Sequence, residues 1–346
     1  MKITLFTDPH LGTERQAHTT RASAKALQQA LYEKAMLVVK SSSLPKFCLG
    51  DLLDRANNPE ATVLQAYNVG IECDSVLSGN HDETNREGVV TTLGALAEMG
   101  VRVCAAPDIS TPYFDTRESL YMVPHHASQE LFEQAVRDAA AHAAETRDGL
   151  ASYLLLHCNY DFTLAIEDNT LNLSRQLAEE IGDAFDYIFI GHEHNGSTHL
   201  DGKVVILGNI HPTSFHDIGD KFIYELDTET AELSKRIVWA KSSHYLELKL
   251  GDPIPDLTSI EFIDVRGSEA VENAAEVANY INELRAAGTD CLYAVRSKVD
   301  IKDSLDGVNV EVEGITTEDL HTRISAELEG SDLADLFKEL AAEAKQ

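Results

Sequence analysis

The sequence predicts a layered α/β core of the αββα type, followed by a small α+β unit and two terminal helices. Three observations predict it. Short apolar runs alternate with helical patterns up to residue 190, and after Gly191 the pattern turns to strands. Pro253 and Pro255 then break the chain ahead of a strand–helix–strand unit.

The elements follow in order. Residues 3–6 read as a buried strand and residues 22–39 as a helix, with Ala26, Leu27, Ala30, Leu31, Ala35 and Met36 striping one face. Strands are expected at 46–49, 74–77 and 101–105, with helices at 60–69 and 89–99 between them. Residues 113–114 and 120–123 read as a small strand pair, 129–144 as an Ala-rich helix, and 153–156 and 187–190 as short apolar strands. Alternation of this kind argues for sheets covered by helices. Segments 198–200 and 204–207 flank Asp201-Gly202, a hairpin signal. Strands at 222–226, 237–239 and 245–250 come next, and residues 251–256 read as a linker or boundary. Beyond it lie strand 260–265, helix 270–286, strands 292–297 and 308–312, and helices 317–328 and 332–345. The expected division is 1–240, 241–315 and 316–346.

Composition narrows the class. With 43% hydrophobic and 25% charged residues, wholesale disorder is excluded. No apolar run approaches the ~18 residues of a membrane span. The first residues lack a signal peptide's apolar stretch, so a cytoplasmic protein is expected. Lys and Arg number 28 against 58 Asp and Glu, a net charge of −30. Such a chain repels polyanions on average, so a nucleic-acid role needs bound metal, a local positive site or a basic partner. Cys48, Cys73, Cys104, Cys158 and Cys291 sit in apolar stretches without a C-x-x-C pair and are expected as buried free thiols.

The chemistry gathers just past strand ends. Asp8-Pro9-His10 follows the first strand, Gly50-Asp51-Leu52-Leu53-Asp54-Arg55 the second, and Gly79-Asn80-His81-Asp82 the third. His157 ends the strand at 153–156, and Gly191-His192-Glu193-His194 follows the one at 187–190. In open α/β sheets that edge is where ligands bind. Asp8, His10, Asp51, Asn80, His157, His192 and His194 form a mixed nitrogen and oxygen set that suits Mn, Fe or Zn. Seven ligands exceed one tetrahedral site and suit two metals sharing a carboxylate, a pair able to activate water at a phosphoryl centre.

As a set, D-x-H, G-D-x-x-D, G-N-H-D, a strand ending in His and G-H-x-H resemble the calcineurin-like metallophosphoesterases over residues 1–227. The resemblance implies one metal on Asp8, His10, Asp51 and His194, and a second on Asp51, Asn80, His157 and His192. It makes His81 the histidine that contacts the scissile phosphate and assists the leaving group, with Asp82 orienting it. A narrower resemblance is to the SbcD nuclease subfamily, including recombination nuclease subunits of tailed phages. It rests on the turn Leu207-Gly208-Asn209-Ile210-His211-Pro212-Thr213-Ser214-Phe215, on the strand at 220–227, and on a unit after residue 250 similar to that family's capping domain. Some members carry His where this chain has Asp54; Asp54-Arg55 is also similar to protein phosphatases.

The resemblance implies a two-metal DNA nuclease with Mn as the expected metal (Fe, Zn or Mg as alternatives). It further implies an SMC-like ATPase partner, a homodimer, and residence in the cytoplasm, the host's if phage-encoded. The alternative is a phosphodiesterase or phosphatase for small nucleotides or phosphoproteins. Arg55 and His211 are candidate substrate contacts; His125-His126 and Asn159-Tyr160-Asp161 read as loop features that could also line a cleft. Leu333, Leu336, Phe337 and Leu340, behind Ser331 as N-cap, form an apolar stripe that either binds a partner or docks on its own domain.

Overall fold

A computed structural model of the chain describes residues 1–13, 21–84, 90–108, 111–146, 150–161, 170–267, 274–288, 291–296 and 309–311. The expected helices at 317–328 and 332–345, with their apolar stripe, lie outside these.

Two six-stranded sheets face each other. The first runs β14 (Glu232–Trp239), β13 (Lys221–Asp227), β1 (Lys2–Phe6), β2 (Lys46–Cys48), β3 (Ser75–Leu77) and β4 (Val103–Cys104). The second runs β11 (Ser197–His199), β12 (Val204–Ile206), β10 (Tyr187–Gly191), β7 (Tyr153–His157), β6 (Leu120–Val123) and β5 (Asp115–Arg117). Alternation along each strand sorts side chains to the two faces. Ile3, Leu5, Phe47 and Leu77 meet Tyr153, Leu155, Phe189 and Val205 between the sheets. Phe6, Cys48 and Val76 point the other way, under α1 (Arg21–Lys40), α2 (Glu60–Gly70) and α3 (Thr92–Glu98). Leu154, Leu156, Ile188 and Ile190 likewise pack under α4 (Gln129–Thr146) and α5 (Arg175–Ile181). This is the αββα layering that the sequence predicts. A short pair, β8 (Asn159–Tyr160) and β9 (Asn172–Leu173), lies outside the main sheets.

After a single turn, α6 (Lys241–His244), a third sheet begins. It comprises β15 (Tyr245–Lys249), β16 (Phe262–Arg266), β17 (Leu292–Arg296) and β18 (Asn309–Glu311), all parallel, with α7 (Ala274–Ala287) burying Val277, Ile281 and Leu284 against it. Trp239, Leu27 and Leu31 of the core pack on Phe262 and Leu292 of this sheet.

Three expected boundaries are corrected. Residues 251–256 are not a linker: β15 already belongs to the third sheet, and the proline-containing stretch is a helix-free crossover to β16. The partner of β6 is Asp115–Arg117 rather than 113–114, because Glu118 at φ 55° makes the turn that sets Asp115 opposite Met122. Helix α3 starts at Thr92 because Thr91 caps it, its hydroxyl accepting from Gly94 N at 3.0 Å. No helix among the described residues is long and apolar enough to cross a membrane.

Candidate metal centre

The C-terminal ends of β1, β2 and β3 meet those of β7 and β10. Beyond the strands, β1 and β2 stay paired through their loops. Asp8 N donates to Gly50 O (3.1 Å), His10 N to Asp51 O (3.0 Å) and Asp54 N to Leu11 O (3.0 Å). Asp8, His10 and Asp51 adopt left-handed φ values of 55°, 46° and 48°, and His192 one of 87°. Asp and His tolerate this region better than most residues. Gly50, at φ 97°, backs directly onto the His157 ring.

All seven expected ligands converge. His10 Nε2 lies 2.9 Å from His194 Nε2, 3.6 Å from Asp8 Oδ1 and 3.8 Å from Asp51 Oδ2. His157 Nε2 lies 3.2 Å from Asp51 Oδ2 and 3.1 Å from Asn80 Oδ1, which is 3.0 Å from His192 Nδ1. Among the described residues, three overlapping groups could hold metal: Asp8–His10–His194, His10–Asp51–His81 and Asp51–His157–His192.

Each acid commits one oxygen to the protein and directs the other inward. Asp8 Oδ2 accepts from Thr7 Oγ1 (2.5 Å) and His192 N (3.0 Å), whereas buried Oδ1 has no hydrogen-bond partner. Asp51 Oδ1 accepts from His81 N (3.0 Å), and Oδ2 faces the histidines. An orphaned buried carboxylate oxygen and two imidazole nitrogens in direct contact fit a cation-binding cradle.

The charges agree. Burial raises the Asp8 carboxyl, but His10 and His157 outweigh it and leave a pKa of about 2. Asp51 is likewise held well below the usual carboxylate range: burial opposes, and His157 and His10 prevail. His157 is raised to about 9, since Asp51 overcomes its burial. His192 falls to about 4, through burial and then repulsion from His157. Asp8 and Asp51 are thus held ionised and His192 neutral at neutral pH, the forms in which these groups can ligate a cation.

His81 stands at the exposed mouth, its ring 5.0 Å from that of His10. The expected orienting role of Asp82 is corrected. Asp82 is fully buried and accepts from the backbone N–H groups of Gly79 (3.1 Å), Leu52 (3.3 Å) and Leu53 (3.0 Å), tying the second and third loops together. Burial and the Asp51 charge raise it to about 7. His81 Nδ1 instead donates to Asp54 O at 2.7 Å. A carbonyl only accepts, so the proton is fixed on Nδ1.

His211 is not brought to the cluster. It is buried, and both ring nitrogens are engaged, Nδ1 with Pro212 O (2.7 Å) and Nε2 with Glu261 Oε2 (2.6 Å). Arg55 is half-buried beside Asp54. His126 is structural: Nδ1 donates to Pro124 O and Nε2 accepts from Tyr113 N.

Sequence reasoning quotes Asp54 without giving it a role and misses Asp217. The Asp54 side chain lies 3.4 Å from His10 Nδ1 and accepts from Thr13 Oγ1 at 2.9 Å. Asp217 lies 3.1 Å from His194 Nδ1. The polar turn around Asp217 carries the only sequence signal, and turns of that kind are common.

Fold and site together define a layered α/β protein with a seven-residue His/Asp/Asn cluster able to hold divalent metal. No family model matches the chain, and no curated protein matches it. Among solved structures, 59 chains match. One is a conserved uncharacterized protein of Streptococcus pneumoniae TIGR4, described as a predicted phosphoesterase. It shares 13% identity over 68% of this chain and 97% of its own, with a TM-score of 0.28. At that level of likeness, functional inference rests on the site's own side chains.

Proposed function

We propose that the protein is a two-metal phosphodiesterase that acts on DNA. The observation that carries the reading is Asp51, whose single inward oxygen faces both His10 (3.8 Å) and His157 (3.2 Å) and so joins two ligand groups. Asp8, His10, Asp51 and His194 would hold one ion, and Asp51, Asn80, His157 and His192 the other. Bound there, two divalent ions would supply Lewis-acid activation of water and of the phosphoryl oxygens. Mn is the expected ion.

The chain's own groups do the rest. His81 stands at the mouth; as the imidazolium, with Nδ1–H held by Asp54 O, it would hydrogen-bond a phosphoryl oxygen through Nε2–H and hand that proton to the leaving oxygen. Asp54 fixes that ring through its carbonyl, and Asp82 fixes the loops that carry Asp51 and Asn80. With a net charge of −30, the protein would need an SMC-like ATPase partner to supply basic surface for DNA. A homodimer and a cytoplasmic setting belong to the same proposal.

The test compares linear duplex DNA and a chromogenic phosphodiester in Mn²⁺, with His81→Ala as control. Cleavage of both by the wild type, with the variant inactive yet metal-loaded, supports the reading. Cleavage of the diester alone favours small nucleotides as substrate. No cleavage and no bound metal refutes it.

A further inference from the structure

We propose that Asp217 is the positioning residue of the metal centre: its carboxylate holds the Nδ1 proton of His194, sets the ring's tautomer and turns Nε2 into the ligand cluster. The proposal rests on the metal-centre reading above.

Asp217 is buried, 3% exposed, and both of its carboxylate oxygens are engaged. Its Oδ2 accepts from His194 Nδ1 (3.1 Å), Asn209 Nδ2 (2.8 Å), Thr213 N (2.9 Å) and Thr213 Oγ1 (3.1 Å). Its Oδ1 accepts from Ser214 N (2.7 Å) and Ser214 Oγ (3.0 Å). The His194 backbone is pinned from the other side, its carbonyl accepting from Lys221 Nζ (2.9 Å) and Asn209 N (3.2 Å). The ring therefore cannot follow a change of partner by moving its backbone. A carboxylate only accepts, so Nδ1 must carry the proton and Nε2 must offer its lone pair toward His10 and Asp8. His157 is arranged the same way, with Nδ1 on Leu49 O at 2.7 Å. Of His157 and His194, His194 is the one anchored by a charged side chain, and so by a group that a substitution can remove.

An isosteric amide cannot serve both sides. In Asp217→Asn, an amide oxygen kept toward His194 turns the NH₂ onto the Ser214 N–H, donor against donor. The flipped amide donates to His194 Nδ1 and drives the proton to Nε2, the ligating atom. Either outcome weakens His194 as a ligand while Asn80, His157 and His192 keep their partners.

The experiment has two arms. The first is ¹⁵N-histidine NMR on the metal-free wild-type protein, where His194 is expected with Nδ1 protonated. A proton on Nε2 overturns the proposal, and this arm needs no variant to fold. The second is calorimetric Mn²⁺ titration of wild type and Asp217→Asn, with the melting temperature recorded. One of two sites is expected to weaken ~10–100-fold, the range for loss of such an outer partner, with the other site unchanged. Two unchanged sites, or two equally weakened sites, overturn the proposal and leave Asp217 as a turn brace. If the wild type takes up no Mn²⁺, the metal-centre reading itself fails, while the NMR arm still judges the tautomer.

Discussion

Gly50→Ala isolates the cost of crowding one ligand. Gly50 sits at φ 97°, and a Cβ added there would overlap Nδ1 and Cγ of His157. The ring has nowhere to go. It is 1% exposed, its Nδ1 donates to Leu49 O at 2.7 Å, and its Nε2 lies 3.1 Å from Asn80. Gly100 has the same φ of 97° but open space within 4 Å of its would-be Cβ. The left-handed conformation costs an L-residue ~1–2 kcal/mol, and both substitutions carry that cost. Overpacking adds ~1–3 kcal/mol at Gly50 alone. The expected losses are therefore ~1–2 kcal/mol for Gly100→Ala and ~2–5 kcal/mol for Gly50→Ala. Paired denaturant unfolding of the metal-free proteins measures both, and a Mn²⁺ titration follows. Displacing His157 should lower the affinity of one ion ~10–100-fold, with Gly100→Ala unaffected. Equal destabilisation of the two variants with intact metal binding would refute the reasoning.

Other outcomes follow from the same geometry. His81→Ala should keep both ions by metal analysis and lose ~10²–10⁴-fold in diester turnover, the usual weight of a general acid. Phe189→Ala, fully buried between the two sheets, should cost ~3–5 kcal/mol in denaturant unfolding. The Glu261 carboxyl is opposed by burial, but hydrogen bonds from His211 (2.6 Å) and Trp239 (3.1 Å) prevail and lower its pKa below 4.5. Its stabilising contribution is thus complete above that value and fades as pH falls through the lowered one. Unfolding curves of wild type and Glu261→Gln should therefore converge in acid and separate near neutrality. Chelator should lower the melting temperature and Mn²⁺ restore it; saturation at ~100 times Kd corresponds to ~2.7 kcal/mol.

What was legible in the sequence depended on what a residue's neighbours forced. The seven ligands could be read because each stands at or just past the C-terminal end of an apolar strand, and the two facing sheets bring those ends together. The role of Asp82 could not. Adjacency to His81 says nothing about direction, and its carboxylate turns inward to three backbone amides. Asp217 follows the Pro-Thr-Ser turn rather than a strand, so only the fold brings it to His194, which lies 23 residues earlier. His211 shares that turn yet points to Glu261, 50 residues on, just ahead of β16. Pro253 and Pro255 correctly exclude a helix, but the absence of a helix does not mark a boundary, since β15 and β16 pair in parallel across that stretch.

The strain at the centre bears on how it works. Four ligand residues, Asp8, His10, Asp51 and His192, lie at positive φ. At ~1–3 kcal/mol each, their combined cost rivals a domain's net stability of ~5–15 kcal/mol. It is offset locally. The loops after β1 and β2 continue their ladder through Asp8–Gly50, His10–Asp51 and Leu11–Leu52 hydrogen bonds, and a parallel bridge joins Leu11 to Leu53. Left-handed turns let the backbone stay paired while Asp8, His10 and Asp51 swing toward the histidines of the second sheet. A relaxed backbone would send those side chains along the sheet's ordinary alternation, away from one another. The conformational cost is therefore met on folding, and the ligands stand converged before any ion arrives. A site prepared in this way needs residues that both ligate metal and tolerate positive φ, and Asp and His satisfy both conditions.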